Sequence, residues 1–311
     1  MIDVLFLPLA FFAGTLLAVQ AGANAQLAKA TASPFAATTL QLSVGTLLLL
    51  AVAIATGSLV ALENLPHVTW WHVLGGTASA FYVVSTILLF PRLGAVVSVG
   101  LFIAGQMIAS LALDAFGLLG VPATGLRPMA VAAILLVLAG AGLVVFGQRD
   151  ATKSMSASRF GWLLLAVAAG AVLPVQGAVN ALLRSDLGGA AFPVGVISFL
   201  VATFAMAAVL LATLVWPQTP RPQLGGVSAM PWWGWLGGFA GATYVTTVFT
   251  SIPVIGAATT IGLTIAGQQL ASILVDRYGW FRLPQRPVSA MRLAGVVLIL
   301  AGAGALKLAL A

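Results

Sequence analysis

The sequence predicts an all-α integral membrane protein whose ten transmembrane helices form two five-helix repeats of inverted topology. Three observations predict this fold class: the composition, the number of apolar segments and an internal repeat. Of the 311 residues, 61% are hydrophobic and only 6% are charged, whereas soluble domains average about 25% charged residues. A chain with so few charges cannot cover itself with a soluble surface, so its apolar segments are predicted to lie in a lipid bilayer.

Ten apolar segments are long enough to cross a bilayer, which takes about 20 residues in a helix. Short connections that contain Pro, Gly or Asn separate these segments. The first segment lacks the basic start of a signal peptide and has a counterpart deep in the chain, which favours a membrane helix. The predicted spans are 4–24, 35–56, 70–90, 95–115, 128–146, 160–182, 192–215, 233–252, 256–275 and 289–309.

The positive charges fall mostly on one side of this predicted topology. Loops after odd-numbered spans carry ten of the 13 Lys and Arg residues, and the opposite side carries three. Because positively charged loops stay in the cytoplasm, both termini are predicted to lie outside. Topology therefore explains the net charge of +7, and no nucleic-acid partner is predicted.

An internal repeat divides the chain into two equivalent units. Residues 70–122 align without a gap with residues 232–284, and roughly 23 of these 53 positions are identical. The phrase AGQMIASLALD, which begins at Ala104, recurs as AGQQLASILVD at Ala266. This similarity is far too high to arise by chance in an apolar chain.

Each unit holds five spans, an odd number, so the second unit must enter the membrane from the opposite side. The predicted units are 1–146 and 160–311, joined by a cytoplasmic linker over 147–159. Inverted repeats are typical of secondary transporters, whose substrate sites lie between the repeats. The small-residue phrase LAGAG occurs in both the fifth and the tenth span, which predicts that these two helices pack against each other or close the edge of the bundle.

Polar side chains recur at matching places in both units. Such side chains in a membrane helix usually face the protein interior or a water-filled cavity. Amides both donate and accept hydrogen bonds, which suits a polar, uncharged or zwitterionic solute. The alternative is that these residues only join helices, through hydrogen bonds worth about 0.6 kcal/mol each. The predicted substrate-binding residues are Gln20, Asn24, Tyr82, Ser98, Gln106, Gln176, Asn180, Tyr244, Thr260, Gln268 and Gln269.

Two glutamines lie near the middle of their spans, Gln106 in the fourth and Gln268 in the ninth. At 1.5 Å per residue both sit roughly 15–18 Å deep, close to the centre of the hydrocarbon core. We therefore predict that both face one central cavity, with Asn24 and Asn180 on helices that line its two mouths.

Asp114 and Asp276 close the fourth and ninth predicted spans. A carboxylate at the C-terminal end of a helix is disfavoured by about 0.3–1 kcal/mol, so each predicts a compensating partner or role. One interpretation is a proton site that couples transport. The sequence favours the other, a salt bridge to a nearby arginine such as Arg277 or Arg127.

Other classes of function fit the sequence less well. An intramembrane enzyme is disfavoured because the motifs HExxH and GxSxG and a pair of buried acids are absent from the sequence. A channel is disfavoured because channels are generally built from rings of carbonyls or charges. The chain has no cysteine, and no catalytic residue, metal site or cofactor is predicted.

The segments VQGAVNALL, WWGWLGGFAGATYV and AGQQLASILVDRYG closely resemble the YdcZ-like bacterial inner-membrane proteins. These form a branch of the drug/metabolite transporter superfamily, related to the EamA-like exporters and the small multidrug resistance proteins. The resemblance covers both units and implies a ten-helix bundle with a central cavity in the bacterial inner membrane. Both termini are predicted to be periplasmic, which departs from the EamA-like arrangement with cytoplasmic termini.

The predicted function is export of a small polar or amphipathic metabolite by alternating access around the central cavity between the repeats, although the resemblance itself implies little about the substrate. The sequence lacks a carboxylate at mid-membrane, which departs from the central Glu of the small multidrug resistance pattern. Efflux of drugs or toxic cations is therefore the alternative. A monomer is sufficient for this plan, and a homodimer is compatible with it.

Overall fold

The computed structural model describes residues 2–120, 123, 125, 127–147, 157–215, 221–255 and 257–310. Within these residues the regular structure is helical, with short 3₁₀ turns between α-helices and no strand. The α-helices are α1 (Ile2–Thr31), α2 (Pro34–Ala55), α3 (Gly76–Leu93), α4 (Ala95–Phe116), α5 (Pro128–Phe146), α6 (Ala157–Asp186), α7 (Ala191–Val215), α8 (Leu236–Ile255), α9 (Ala257–Tyr278) and α10 (Ala290–Leu310).

Several of these helices are suited to a membrane by length and composition. In the described part of the chain, six are long and apolar enough to cross one, and α5 and α10 contain shorter apolar segments. The predicted all-α membrane architecture is confirmed at this level. The six segments are Leu5–Thr31, Pro34–Ala55, Trp70–Leu93, Ala95–Leu113, Phe160–Asp186 and Ala191–Val215.

Most helix ends lie within a few residues of the predicted spans, but α1 and α3 differ. α1 continues to Thr31, about two turns beyond the predicted end. Its extension is held in place because the Gln26 amide donates to the backbone carbonyl of Phe281. The predicted third span begins instead with a 3₁₀ turn over Trp70–Gly75, and α3 starts only at Gly76.

Glycines allow the two units to approach each other at backbone distance. α1 packs along α9, and a side chain at Gly14 would collide with the backbone of Thr264. α6 packs along α4, and a side chain at Gly170 would collide with the backbone of Phe102. Gly14 and Gly170 are equivalent in the repeat, as are Thr264 and Phe102, so the same close crossing occurs twice.

The packing of α5 against α10 is confirmed. The Gly140 backbone lies against the carbonyl of Gly295, and Gly302 lies in the same way against Ala133. A methyl group at either glycine would meet backbone atoms within 3 Å. Small residues therefore allow these two helices to touch along their length, as small-residue phrases in membrane helices generally do.

Candidate functional site

A small cavity of about 30 Å³ lies among α1, α2, α3, α6, α7 and α8. This volume admits one or two water molecules, whereas sites for small molecules measure about 300–1,000 Å³. This cavity is therefore too small for such a solute, which could enter it only after the surrounding helices move. The wall comprises Leu17, Gln20, Leu42, Ser79, Tyr82, Val83, Leu173, Gln176, Phe199, Gly241, Tyr244 and Val245.

Every described residue of the wall has its repeat-related counterpart in the same wall. Three pairs belong to the gapless alignment of the third and eighth predicted spans. The other three pairs come from the first two helices of each unit. The cavity therefore lies where equivalent surfaces of the two units meet. The pairs are Leu17 with Leu173, Gln20 with Gln176, Leu42 with Phe199, Ser79 with Gly241, Tyr82 with Tyr244, and Val83 with Val245.

On one side of the cavity, α1, α2 and the start of α8 form what we term the Asn24 cluster: Gln20, Asn24, Gln41, Gly237 and Gly241. Gly237 and Gly241 lie one turn apart on α8, and a side chain at either would collide with the amide of Asn24 or Gln20 respectively. The Gln41 Nε2 atom donates to the Gly237 carbonyl at 3.3 Å. Three amides thus surround a surface of α8 that has no side chains.

The Asn180 cluster is the equivalent arrangement in the other unit: Gln176, Asn180, Ser198, Gly75 and Ser79. Gln176 Nε2 donates to the Ser79 hydroxyl at 2.6 Å and lies 3.3 Å from that of Ser198. Asn180 Nδ2 donates to Ser198 at 3.2 Å. In this cluster, Ser198 and Ser79 therefore place hydroxyl groups at the positions that Gln41 and Gly241 occupy in the Asn24 cluster.

Gln268 lies behind the wall rather than in it. Its Nε2 donates to the hydroxyl of Tyr82 at 3.2 Å, and the side chain is buried. Gln106 is also buried, and within the described residues its Nε2 has no hydrogen-bond partner. Neither glutamine is among the wall residues. Gln268 thus lies directly behind the cavity wall and positions one of its tyrosines.

The remaining predicted residues are buried around this layer. Ser98 and Thr260 are fully buried near the starts of α4 and α9, and Gln269 is fully buried in the middle of α9. Among the described residues, the Ser98 hydroxyl and both polar atoms of the Gln269 amide lack a hydrogen-bond partner. None of the three belongs to the cavity wall, so the structure does not bring them together with Gln20 and Gln176.

Comparison with known proteins identifies a family. The family described as "Putative inner membrane exporter, YdcZ" matches residues 5–143 and, separately, residues 161–305. The chain belongs to the YdcZ family. The predicted resemblance and the inner-membrane location are thereby confirmed, and the family is one of exporters by its description.

Two individual proteins illustrate the similarity. "Inner membrane protein YdcZ" of Escherichia coli (strain K12) is 37% identical over 82 residues, which are 26% of this chain and 54% of that protein. The chain thus matches about half the length of this curated relative. A solved structure described as "Crystal structure of protein" shares the fold with a TM-score of 0.60 and 21% identity, over 98% of this chain and 96% of that chain.

In this YdcZ-family chain, Asp276 anchors one unit to the other. Its carboxylate accepts hydrogen bonds from the backbone N–H groups of Ala95, at 2.8 Å, and Val96, at 3.1 Å, in the first turn of α4. It also forms a buried salt bridge with Arg292, at 2.7 Å. The favoured salt bridge exists, but its partner is Arg292 of α10 rather than Arg277, whose guanidinium lies over the Tyr278 ring.

The geometry of Asp276 is that of an anchor, because the positive end of α4 and a guanidinium both compensate its charge. Proton coupling by Asp276 stays a prediction. The helix that carries Asp114 is described, but the Asp114 side chain lies outside the described residues.

Another carboxylate of the second unit binds the first unit at the opposite end of the bundle. His72 Nδ1 lies 2.6 Å from the Asp186 carboxylate, which also accepts a hydrogen bond from the Thr69 N–H. The sequence assigned no role to His72. Its partner lies in the other unit, and Asp186 follows the predicted sixth span, so spacing along the chain could not reveal the pair.

Sequence reasoning also missed several wall residues. Leu17, Leu42 and Phe199 carry no polar signal. Ser79 could have been found, because it lies three residues before Tyr82 and therefore on the same helix face. Gly241 could then have followed as its repeat equivalent.

Proposed function

We propose that this protein is a secondary transporter that exports a small polar or amphipathic metabolite by alternating access. The cavity between its two units would be the site that opens to either side of the membrane. The observation that carries this proposal is the wall itself, in which the twelve described residues all form repeat-related pairs. Transporters with inverted repeats bind their substrates at the repeat interface.

We also propose that the chain crosses the membrane ten times, in two inverted five-helix units. The packing supports this arrangement. α1 packs on α9 and its equivalent α6 packs on α4, while α5 packs on its own equivalent, α10. The two family matches, over 5–143 and 161–305, also fall close to the predicted units. The linker over 147–159 lies largely outside the described residues.

Orientation is part of the proposal, with both termini in the periplasm and the Asn24 cluster toward the cytoplasm. The charge bias supports it. Trp70 and Trp232, which precede α3 and α8, are 74% and 76% exposed, as expected of rings at a membrane–water interface. A reporter active only in the cytoplasm, fused after Ala311, should be silent. Strong reporter activity would show that the orientation is the reverse of the proposed one, without affecting the repeat relation between the units.

The chemistry of the wall favours an uncharged or zwitterionic solute. Among the described residues of the wall, the polar groups are two amides, two phenols and one hydroxyl, and none is charged. A bare cation would gain no counter-charge there, and burying an unpaired charge is costly. This supports metabolite export over efflux of toxic cations.

The proposed activity can be tested with purified protein. A thermal-shift screen of metabolites and toxic compounds would find ligands, because binding to the folded state raises the apparent melting temperature. A compound that binds should then show saturable flux in proteoliposomes, accelerated by the same compound on the opposite side. Flux that rises linearly with concentration would indicate a channel, and chemical turnover without a gradient would indicate an enzyme.

A further inference from the structure

The Asn24 cluster and the Asn180 cluster are equivalent in position but differ in how their amides are bonded. In the described part of the chain, three polar atoms of the Asn24 cluster lack a partner: Nδ2 and Oδ1 of Asn24 and Oε1 of Gln41. Asn24 is 0% exposed and Gln41 is 1% exposed. A buried polar group without a partner incurs a desolvation penalty comparable to a lost hydrogen bond or more.

The Asn180 cluster avoids most of this penalty with its own hydroxyl groups. Ser198 and Ser79 accept hydrogen bonds from Asn180 and Gln176. Within the described residues, the Asn180 cluster leaves one such atom unpaired, Oδ1 of Asn180. The unpaired amides are thus concentrated on the Asn24 side of the cavity.

On that same side, the ends of the Asn24 and Gln20 side chains fill the space that a side chain of α8 would otherwise occupy. Gly237 and Gly241 present bare backbone to Asn24, Gln20 and Gln41, whereas Ser79 stands at the position equivalent to Gly241. The Gln20 side chain joins this surface to the central cavity, since it lines the cavity wall. Once helix movement has admitted a small polar group to the cavity, that group could reach the unpaired amides by displacing the ends of flexible side chains.

We propose that the Asn24 cluster is the subsite that binds the head group of the transported solute, and that this head group is a primary carboxamide or a urea-like group. The unpaired atoms are two acceptors, Oδ1 of Asn24 and Oε1 of Gln41, and one donor, Nδ2 of Asn24. A primary amide supplies the complement, two N–H donors and one carbonyl acceptor. A carboxylate has acceptors only, an ammonium has donors only, and a quaternary ammonium has neither.

This inference rests on the proposed function, yet its test does not require transport. The probe is propionamide, titrated against the purified full-length protein while the melting temperature is followed. The comparators are N,N-dimethylpropionamide, which keeps the acceptor but loses both donors, and tetramethylammonium. We expect a saturable stabilisation by propionamide and none by either comparator.

Asn24→Leu removes two of the three unpaired atoms and should weaken the apparent affinity for propionamide about tenfold or more. Ser251→Ala is the matched control, because Ser251 is another buried residue of α8 whose hydroxyl lacks a partner among the described residues. It lies outside the Asn24 cluster, and its variant should keep the wild-type response. Equal responses of Asn24→Leu and wild type would overturn the subsite.

A second variant guards against a folding defect in Asn24→Leu. Gln41→Ser combined with Gly241→Ser copies the hydroxyls of the Asn180 cluster into the Asn24 cluster. The introduced hydroxyls should satisfy Gln20 and Asn24, so the unliganded protein should melt at the same or a higher temperature and no longer respond to propionamide. A double variant that still responds as wild type would contradict the proposal.

The outcomes also separate the two proposals. Propionamide binding that depends on Asn24, without saturable flux of any ligand in liposomes, would refute the transporter and retain the subsite. The opposite result is saturable flux of a ligand without the expected response to propionamide. If that response is absent, unaffected by Asn24→Leu or matched by N,N-dimethylpropionamide, the subsite is refuted and the transporter is retained. Stabilisation by tetramethylammonium would overturn the assigned solute class.

Discussion

The two polar clusters beside the cavity are built from equivalent helices, yet the described residues of the Asn180 cluster leave one amide atom unpaired and those of the Asn24 cluster leave three. In the Asn180 cluster, Ser198 and Ser79 accept hydrogen bonds from the neighbouring amides. In the Asn24 cluster, the same two positions are Gln41 and Gly241, and in the described residues the Asn24 amide has no partner. The repeat thus fixes the backbone of both sides, and a few substitutions give them different chemistry.

The same contrast extends to the carboxylates of the second unit that bind the first unit at each end, Asp276 and Asp186. Asp276 and Arg292 are almost completely buried, with side chains 3% and 2% exposed, whereas the Asp186 side chain is 26% exposed. Asp276 also receives two backbone N–H groups of α4. The end nearer the Asn24 cluster is therefore more firmly anchored than the end nearer the Asn180 cluster.

The largest expected effect follows from this difference in anchoring. Asp276→Leu leaves Arg292 buried without its counter-charge, which should cost about 3–5 kcal/mol of unfolding free energy. Asp186→Leu should cost about 1 kcal/mol or less, because water can replace part of its interaction. Unfolding of both purified variants in detergent would measure the difference.

The double variant Asp276→Leu with Arg292→Met is the control for the buried charge. It should recover part of the loss, because no unpaired guanidinium remains. Equal destabilisation by Asp276→Leu and Asp186→Leu would show that the two ends are anchored alike.

The glycine crossings should respond equally in both units. Gly105→Ala and Gly267→Ala each place a methyl group against backbone carbonyls, of Val167 and Phe11 respectively, and each should cost about 1–3 kcal/mol by overpacking. Gly142→Ala meets no atom within 4 Å and should be neutral or slightly stabilising. If only one of Gly105→Ala and Gly267→Ala lowered the melting temperature, the two helix crossings would not be equivalent.

A smaller effect distinguishes the two cavity glutamines. Gln176→Leu loses hydrogen bonds to Ser79 and Ser198, so it should destabilise the protein by about 1 kcal/mol. Gln20→Leu removes an amide from the cluster that leaves its groups unpaired and should be close to neutral. The comparison needs only the melting temperatures of the two variants. If Gln20→Leu lowered the melting temperature more than Gln176→Leu, the Asn24 cluster would be the one with the stronger internal hydrogen bonds, contrary to this account.

The smallest effect concerns Gln268 and its repeat equivalent, Gln106. Gln268→Leu removes the hydrogen bond that holds the Tyr82 hydroxyl, worth about 0.6 kcal/mol between membrane helices. Apparent solute affinity should therefore fall about threefold. Among the described residues, the Nε2 atom of Gln106 has no hydrogen-bond partner to lose. The Gln106→Leu variant should therefore transport at a rate closer to wild type than Gln268→Leu does. If both variants transport normally, these glutamines only join helices.

Much of the fold was predictable because its signals are local or repeated. The apolar segments predicted helix positions, and LAGAG predicted the contact of α5 with α10, since close approach needs small residues. Four predicted residues do line the cavity: Gln20, Gln176, Tyr82 and Tyr244. These pairs were visible because a polar residue is rare in a membrane helix and because each occurs twice.

What the sequence could not predict depends on helix rotation and on distant partners. Depth placed Gln106 and Gln268 near the membrane centre, but depth does not determine which way a helix face points, and Tyr82 stands between Gln268 and the cavity. The partner of Asp276 lies on the next helix, at Arg292. No periodicity links two positions on separate helices, so only the tertiary structure reveals such a pair.

The most direct test of alternating access is whether one cavity position can be reached from both sides of the membrane. The chain has no cysteine, so Ser79→Cys introduces a single thiol into the wall. Leu47→Cys, on α2 at a residue that is 65% exposed on the outer surface of the bundle, is the lipid-facing control. A membrane-impermeant maleimide is too large for a cavity of about 30 Å³, so reaction at Ser79→Cys would report that the cavity has widened. We predict that this thiol reacts both in right-side-out and in inverted vesicles, whereas the control reacts in neither; reaction from one side only, or from neither, would contradict alternating access.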